Sequence, residues 1–231
     1  MARPKSEATN IAFNTIKDRI NKYDLVPGDT VSDLNLSSEL NMSRTPIREA
    51  ILMLVQCNLV ERKPHKFVVK DISRKDIKEL LDIRVAIETL AVKLIIEKGG
   101  LTDEEKKKLE DLEIKYRASI EAKNYNDNFK YDSQFHTYIV DFAGNERLSG
   151  IMKNITIQGE RLRWMSILTP TRLDSAVNEH AQIREYLEAG DGENAIKKID
   201  DHLQLTKENY NKITQNSSWE SIIISFKNAF K

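Results

Sequence analysis

The sequence predicts a mainly α-helical protein in two domains: a winged helix-turn-helix over residues 1–72 and an all-helical bundle over residues 73–231. Three observations predict it. Apolar residues recur at helical spacing along most of the 231-residue chain. Strong breaks separate these stretches at Pro27-Gly28-Asp29, Gly99-Gly100, Thr169-Pro170 and Gly190-Asp191-Gly192. Two short β-prone runs, Leu59–Arg62 and Lys66–Val69, stand alone around residue 65.

Composition removes several classes. Apolar residues make 40% of the chain and charged residues 31%, an ordinary balance for a soluble globular protein. Lys+Arg and Asp+Glu are equal at 36 each, so the chain is neither polybasic nor polyacidic. Eight Gly and five Pro exclude collagen-like or Pro/Gly-rich disordered chains. The single cysteine, Cys57, cannot form an internal disulfide, which suits a reducing cytosol. It follows the apolar run Ile51–Val55 and reads as a buried packing residue. Met1–Lys5 has no apolar core behind it, so no signal peptide is expected. No run of ~18 apolar residues exists, so no membrane span is expected. A cytoplasmic protein is the resulting expectation.

The elements follow in order. Ile11, Thr15, Ile16 and Ile20 mark a first helix that stops before Pro27. Ser32 or Asp33 caps a short helix over Leu34–Leu40, and Asn41-Met42 is a turn. Ser43 is the N-cap of a third helix, with Pro46 in its first turn, where a missing N–H costs nothing. That helix carries Ile47, Ala50, Ile51 and Leu54 and ends near Cys57. Lys63-Pro64-His65 is the tip of a hairpin between the two β-prone runs. From Ser73 a long helix runs to Gly99-Gly100, and Thr102-Asp103-Glu104-Glu105 is a capping box for the next. Further helices are predicted over 125–142, 145–167, 172–189, 192–213 and 218–230.

The first seventy residues hold 11 basic and 8 acidic residues, but the clustering matters more than the sum. From Arg44 to Lys70 there are six basic residues against two acidic ones. Arg44 and Arg48 lie four apart on one face of the third helix, where arginine can bond guanine edges in a major groove. Ser43 and Thr45, at the start of that helix, suit phosphates. Lys63, His65 and Lys66 on the hairpin tip are placed to reach the backbone or minor groove. A solvated helix face also carries such charges; the surrounding string decides between the readings. Pro27-Gly28-Asp29, Leu36-Ser37-Ser38-Glu39-Leu40-Asn41-Met42-Ser43-Arg44-Thr45-Pro46-Ile47-Arg48-Glu49-Ala50-Ile51 and Asn58-Leu59-Val60 closely resemble the DNA-binding domain of the GntR family of bacterial regulators, over about residues 8–70. The family usually has glycine before Met42 and in the wing; here stand Asn41 and no glycine. Asn tolerates positive φ, so the turn is preserved.

The chain has four histidines, three of them in the helical part. Asp132 and His136 are four apart and share a helix face. His180 and His202 lie symmetrically about Asp191, so an antiparallel pair of helices would bring them level. One carboxylate and three imidazoles suit a divalent ion such as Zn²⁺, Ni²⁺ or Mn²⁺ with coordination positions left open. Leu81-Asp82-Ile83-Arg84, Glu88, Asp132-x-x-Phe135-His136, Gly144-Asn145-x-x-Leu148, Glu179-His180-x-x-Ile183, Gly190-Asp191, Ala195 and His202 resemble the FCD effector domain of the FadR subfamily, over about residues 74–212. That resemblance implies a divalent ion held by Asp132, His136, His180 and His202. Arg84 by itself reads as an exposed residue or a partner of Glu88; the resemblance implies that it faces a cavity and pairs with an anionic effector. Trp164 and Asn178 are further effector-binding candidates, with Arg161, Arg163 and Arg172 beside them. Residues 161–164 read equally as a charged face with one buried aromatic.

The resemblance implies a ligand-responsive transcription regulator, a repressor, acting as a homodimer on short palindromic double-stranded DNA. Its implied effector is a small organic acid. A metal-dependent hydrolase and a structural metal-binding helical protein are the competing classes. Against the hydrolase, the chain has no His-Glu-x-x-His segment, no nucleophile elbow and no evident separate general base.

Overall fold

The computed structural model describes residues 6–215 and 221–224. The chain divides into two compact units, Met1–Ser73 and Arg74–Lys231. Of the helix expected over 218–230, only 221–224 are described, and these are helical.

In the first unit, α1 spans Glu7–Asn21, and its N-cap Ser6 accepts a hydrogen bond from the Thr9 amide. Ala12, Phe13, Ile16 and Ile20 form its buried face. The helix ends six residues before Pro27, because Tyr23 turns into the left-handed region at φ 58°. Ser32 caps α2, Asp33–Glu39. The turn to α3, Arg44–Gln56, uses Asn41 at φ 49°, and the Ser37 hydroxyl donates to the Met42 carbonyl oxygen at 2.5 Å. Ile47, Ala50, Ile51 and Leu54 of α3 are fully buried. Ser43 has the extended N-cap backbone, but its hydroxyl makes no capping bond. Cys57 is only half-buried, a correction to its reading as core: it follows the last turn of α3 rather than lying within the apolar face.

The wing is an antiparallel pair, β1 Val60–Lys63 and β2 Lys66–Val69, in register Val60↔Val69 through Lys63↔Lys66. Residues before α2 extend it. The Gly28 amide donates to Val69, the Val69 amide to Asp29 and the Val31 amide to Phe67. The two-residue tip is Pro64-His65. Proline supplies the negative φ and His65 adopts φ 65°, the left-handed value usually left to glycine.

Among the described residues, the second unit has six long helices: α4 Arg74–Glu97, α5 Asp103–Glu121, α6 Tyr125–Phe142, α7 Glu146–Met165, α8 Pro170–Glu188 and α9 Gly192–Gln215. Thr102 and Glu105 form the capping box of α5. Asn124 and Asn145 cap α6 and α7 through side-chain oxygens. The single helix expected over 145–167 is instead α7 followed by a 3-10 turn, Ser166–Leu168. Thr169 precedes Pro170 and sits at φ −136°, ψ 70°, so the helical path is broken there. α4 packs along α9, α6 along α5 and α7, and α8 along α9 and α5. α4 also packs on α6 and α7, and the bundle interior holds the buried polar groups.

The start of α9 approaches α4 closely. A Cβ on Gly192 would lie 2.8 Å from Cγ1 of Ile96. Gly192→Val should therefore push the two helices apart and cost about 1–3 kcal/mol. Thermal unfolding checks it, with Tm lowered by roughly 2–4 °C for each kcal/mol.

Candidate functional site

Three helices bring the histidines together. His136 comes from α6, His180 from α8 and His202 from α9. One nitrogen of each lies within 4.8 Å of the others, and all three residues are buried. The Nε2 atoms of His180 and His202 are 3.4 Å apart. Asp132, one turn before His136, sets Oδ1 3.9 Å from Nε2 of His136 and 3.7 Å from Nε2 of His180. Phe135 stacks on the His180 ring, with centroids 4.0 Å apart and planes 7° from parallel.

Outer carboxylates fix the rings. Glu88 of α4 lies 2.6 Å from Nδ1 of His136, and Glu179 of α8 lies 2.6 Å from Nδ1 of His202. A carboxylate there holds the proton on Nδ1 and leaves a lone pair on Nε2. Arg163 donates from Nε to Oδ2 of Asp132 at 2.6 Å, leaving Oδ1 turned to the histidines. Burial drives His136 and His180 well below the ordinary imidazole range, so both are neutral near pH 7. Burial alone would raise Asp132, but Arg163, His136 and His180 together hold it far below the usual carboxylate range. Burial pushes the Glu88 carboxyl upward, with Arg84 opposing it.

This donor set fits a cation. With Nδ1 of His136 and His202 protonated, their Nε2 atoms can only accept. His180 has at most one N–H to offer, so no placement of protons satisfies every member. Nε2 of His136 and Nδ1 of His180 are buried without a hydrogen-bond partner among the described residues. A divalent ion between the Nε2 atoms and Oδ1 of Asp132 would meet the inward-facing lone pairs together.

Beside the histidines is a cavity of about 40 Å³, room for about three waters or a small ligand. Arg84, Asn128, Asp132, His136, Arg163, Arg172, His202 and Tyr210 are among its walls. Arg84 is buried rather than exposed, pairs with Glu88 and lines the cavity. Its Nε donates to Glu88 at 3.0 Å, while Nη2 is buried with no partner among the described residues. Arg163 likewise has a buried, unpartnered Nη1. Arg172 is consumed by Ser175, Glu179, Thr206 and the His202 carbonyl.

Two expected effector residues do not join this cavity. Asn178 is exposed and accepts from Arg117 at 3.3 Å. It lies two residues from His180, roughly 200° around α8. Trp164 is buried edge-on against Phe129, with centroids 5.1 Å apart, and packs outside the cavity wall. Residues 161–164 are all buried, so they are not a charged surface face. Sequence reasoning missed Glu88 and Glu179 as supports of the rings, and Asn128 altogether. The available signals were Glu88 amid the apolar stripe of α4 and Asn128 one turn before Asp132.

In the first unit, a groove of about 390 Å³ runs between α3 and the wing. Arg44, Arg48, Arg62, Lys63, His65 and Lys66 line it, with Asp33 as the acidic member. Arg44 donates to Asp33 at 2.9 Å, and Lys63 pairs with Glu61 at 2.9 Å. Ser43 and Thr45 are exposed at the start of α3. Arg62 was not among the sequence candidates; its register opposite Phe67 turns it into the groove.

Comparison with known proteins agrees with this division. Residues 9–68 match the family of bacterial regulatory proteins, gntR family, and residues 79–205 match the FCD domain. The chain is 28% identical over 199 residues to the HTH-type transcriptional repressor RspR of Escherichia coli, covering 85% of this chain and 86% of that one. It is 28% identical over 207 residues to the HTH-type transcriptional regulator LutR of Bacillus subtilis, covering 80% and 92%. The solved structure of Escherichia coli McbR/YncC has the same fold, with TM-score 0.78 at 23% identity over 90% of this chain and 98% of that one. No helix among the described residues is long and apolar enough to cross a membrane.

Glu88→Ala should strip Arg84 and His136 of their shared buried acceptor and cost about 3–5 kcal/mol. Asn178→Ala, on the exposed side of α8, should stay within about 0.5 kcal/mol of the parent. Chemical denaturation in the presence of a chelator compares them without any contribution from metal.

Proposed function

The chain belongs to the GntR family of bacterial regulators and carries its FCD domain, and from that premise we propose a cytoplasmic, homodimeric repressor whose helical unit senses a small organic acid through a divalent ion. That it is a DNA-binding transcription regulator, not an enzyme, follows from the family. The further points are our reading. Residues 1–72 would read DNA and residues 73–231 would bind ion and effector.

One observation carries the proposal: three clustered imidazoles face Asp132, and His136, His202 and Asp132 line a cavity whose wall also carries Arg84, its Nη2 buried with no hydrogen-bond partner among the described residues. Asp132, His136, His180 and His202 would hold the ion. When bound, the ion supplies a positive centre with open positions for anionic oxygen. Arg84 would orient a carboxylate there by a charge-assisted bond. A neutral ligand would leave that guanidinium unanswered.

On the DNA side, Arg44 and Arg48 would enter the major groove from the start of α3, with Ser43 and Thr45 on phosphates and Lys63, His65 and Lys66 on the wing. Two-fold pairing of protomers implies a palindromic site. Ile83 and Leu90, seven residues apart on α4 and each 43% exposed, offer an apolar stripe for that pairing. The repressor reading is supported by the likeness to RspR. Only four residues join β2 to α4, and α4 bears Arg84 and Glu88, so an effector that shifts α4 has a short covalent route to the wing. It can change DNA affinity only through its differential affinity for two arrangements.

Elemental analysis should find one divalent ion per protomer, lost in the His180→Ala/His202→Ala double variant; full retention would refute the site. Glu179→Gln should weaken ion affinity about 10–100-fold by loosening the His202 ring. Calorimetry should show carboxylates binding the metal-loaded protein and failing on metal-stripped protein or Arg84→Ala. In gel shifts, Arg48→Ala should lose about 1–3 kcal/mol on operator DNA and relax base preference. Lys63→Ala should weaken all sequences alike, with a flatter salt dependence.

A further inference from the structure

Asn128 is 1% exposed, and neither its Nδ2 nor its Oδ1 has a hydrogen-bond partner among the described residues. Exchanging the two amide atoms changes nothing, since both are unmet. A buried amide with neither end satisfied is destabilising and calls for a partner that arrives from outside the fold. Its position says what that partner touches. Asn128, Asp132 and His136 form one stripe of α6 at four-residue steps, so the amide stands about 6 Å along the helix from the carboxylate. It lines the cavity beside the histidines. It also lines a second pocket of about 150 Å³ between α5, α6 and α8, bordered by Ser119, Tyr125, Leu173 and Asp174. Asn128 and Leu173 are common to both walls.

We propose that Asn128 reads a hydroxyl group of the effector, so that the acid sensed here is a hydroxy acid whose carbon chain points from the histidines toward the pocket between α5, α6 and α8. This rests on the reading that a carboxylate binds at the histidine centre. The chemistry selects the group. A carboxylate is acceptor-only, and Arg84 and the ion already answer it, so it leaves Oδ1 of Asn128 unmet. An ammonium group would satisfy Oδ1 alone, beside the unpaired guanidinium nitrogens of Arg84 and Arg163 that repel it. A hydroxyl both accepts from Nδ2 and donates to Oδ1, and neighbouring hydroxyls meet both atoms at once. A site that hydrogen-bonds a ligand hydroxyl also rejects the analogue lacking it, because its own polar atoms are then buried unpaired.

The test is calorimetry on Zn²⁺-loaded full-length protein with matched acids: propionate against lactate and 3-hydroxypropionate, and hexanoate against gluconate. At least one hydroxy acid should bind roughly tenfold or more tighter than its deoxy partner. In Asn128→Leu that preference should collapse to about twofold or less, with deoxy-acid binding and zinc content unchanged. The same variant, free of ligand, should melt no lower than the parent, because an apolar group of similar shape replaces an unmet amide. Asn128→Ser, which keeps one hydroxyl in the wall, should give an intermediate preference. The proposal is overturned if acids bind in a zinc-dependent way with no preference for hydroxyls, or if the preference survives in Asn128→Leu. If no acid binds, or binding ignores zinc removal, the reading of the histidine centre itself fails, and the hydroxyl proposal with it.

Discussion

The carboxylate of Glu88 is the contact on which the interior of the helical unit depends. It is wholly buried and holds Nε of Arg84 with one oxygen and Nδ1 of His136 with the other. Without it, a guanidinium and an imidazole would face each other across a dry interior. With it, three consequences follow at once. α4 is tied to α6, the His136 proton is confined to the outer nitrogen, and the rest of the guanidinium remains directed at the cavity. Arg163 with Asp132, and Glu179 with His202, repeat the same device on the other sides. Arg84, His136, Asp132 and His202 are thus each oriented by a charged partner, while His180 is held by the stack on Phe135, and the price is a set of polar atoms left facing an inner void.

A helical bundle has cheaper ways to fill its centre. Apolar residues of similar volume would be at least as stable as these buried ion pairs. The arrangement therefore reads as one kept for recognition rather than for stability. The surrounding apolar residues, such as Ile139, Ile183 and Ile199, all at 0% exposure, supply the burial that tolerates it.

Much of this was legible in the chain. Helical periodicity and the Gly and Pro breaks placed the long helices, and the symmetry of His180 and His202 about Asp191 anticipated their 3.4 Å approach. The Asp132–His136 step did the same within α6. What the sequence hid were contacts whose partners lie far apart along the chain. Nothing local says that Glu88 meets His136 rather than solvent, or that Asn178 faces away while Arg84 faces in. Trp164 and Asn178 misled because composition marks a residue as able to bind, whereas helical phase decides whether it can. Ser43 occupies the N-cap position its sequence context indicated, although its hydroxyl makes no capping bond. In the wing, absence of glycine did not prevent the tight tip, since Pro64 and His65 share the two required φ signs.

The proposed ion-binding set draws on residues 132, 136, 180 and 202, and its members come from three helices. This has a consequence for synthesis. The first unit closes at Ser73, whereas His202 is translated 202 − 73 = 129 residues later. At roughly 5–20 residues per second, that interval is on the order of ten seconds. For that time a nascent chain holds the basic groove between α3 and the wing while the histidine cluster is still incomplete. Under the proposed sensing role, each newly made molecule passes through a deaf period before it can be instructed.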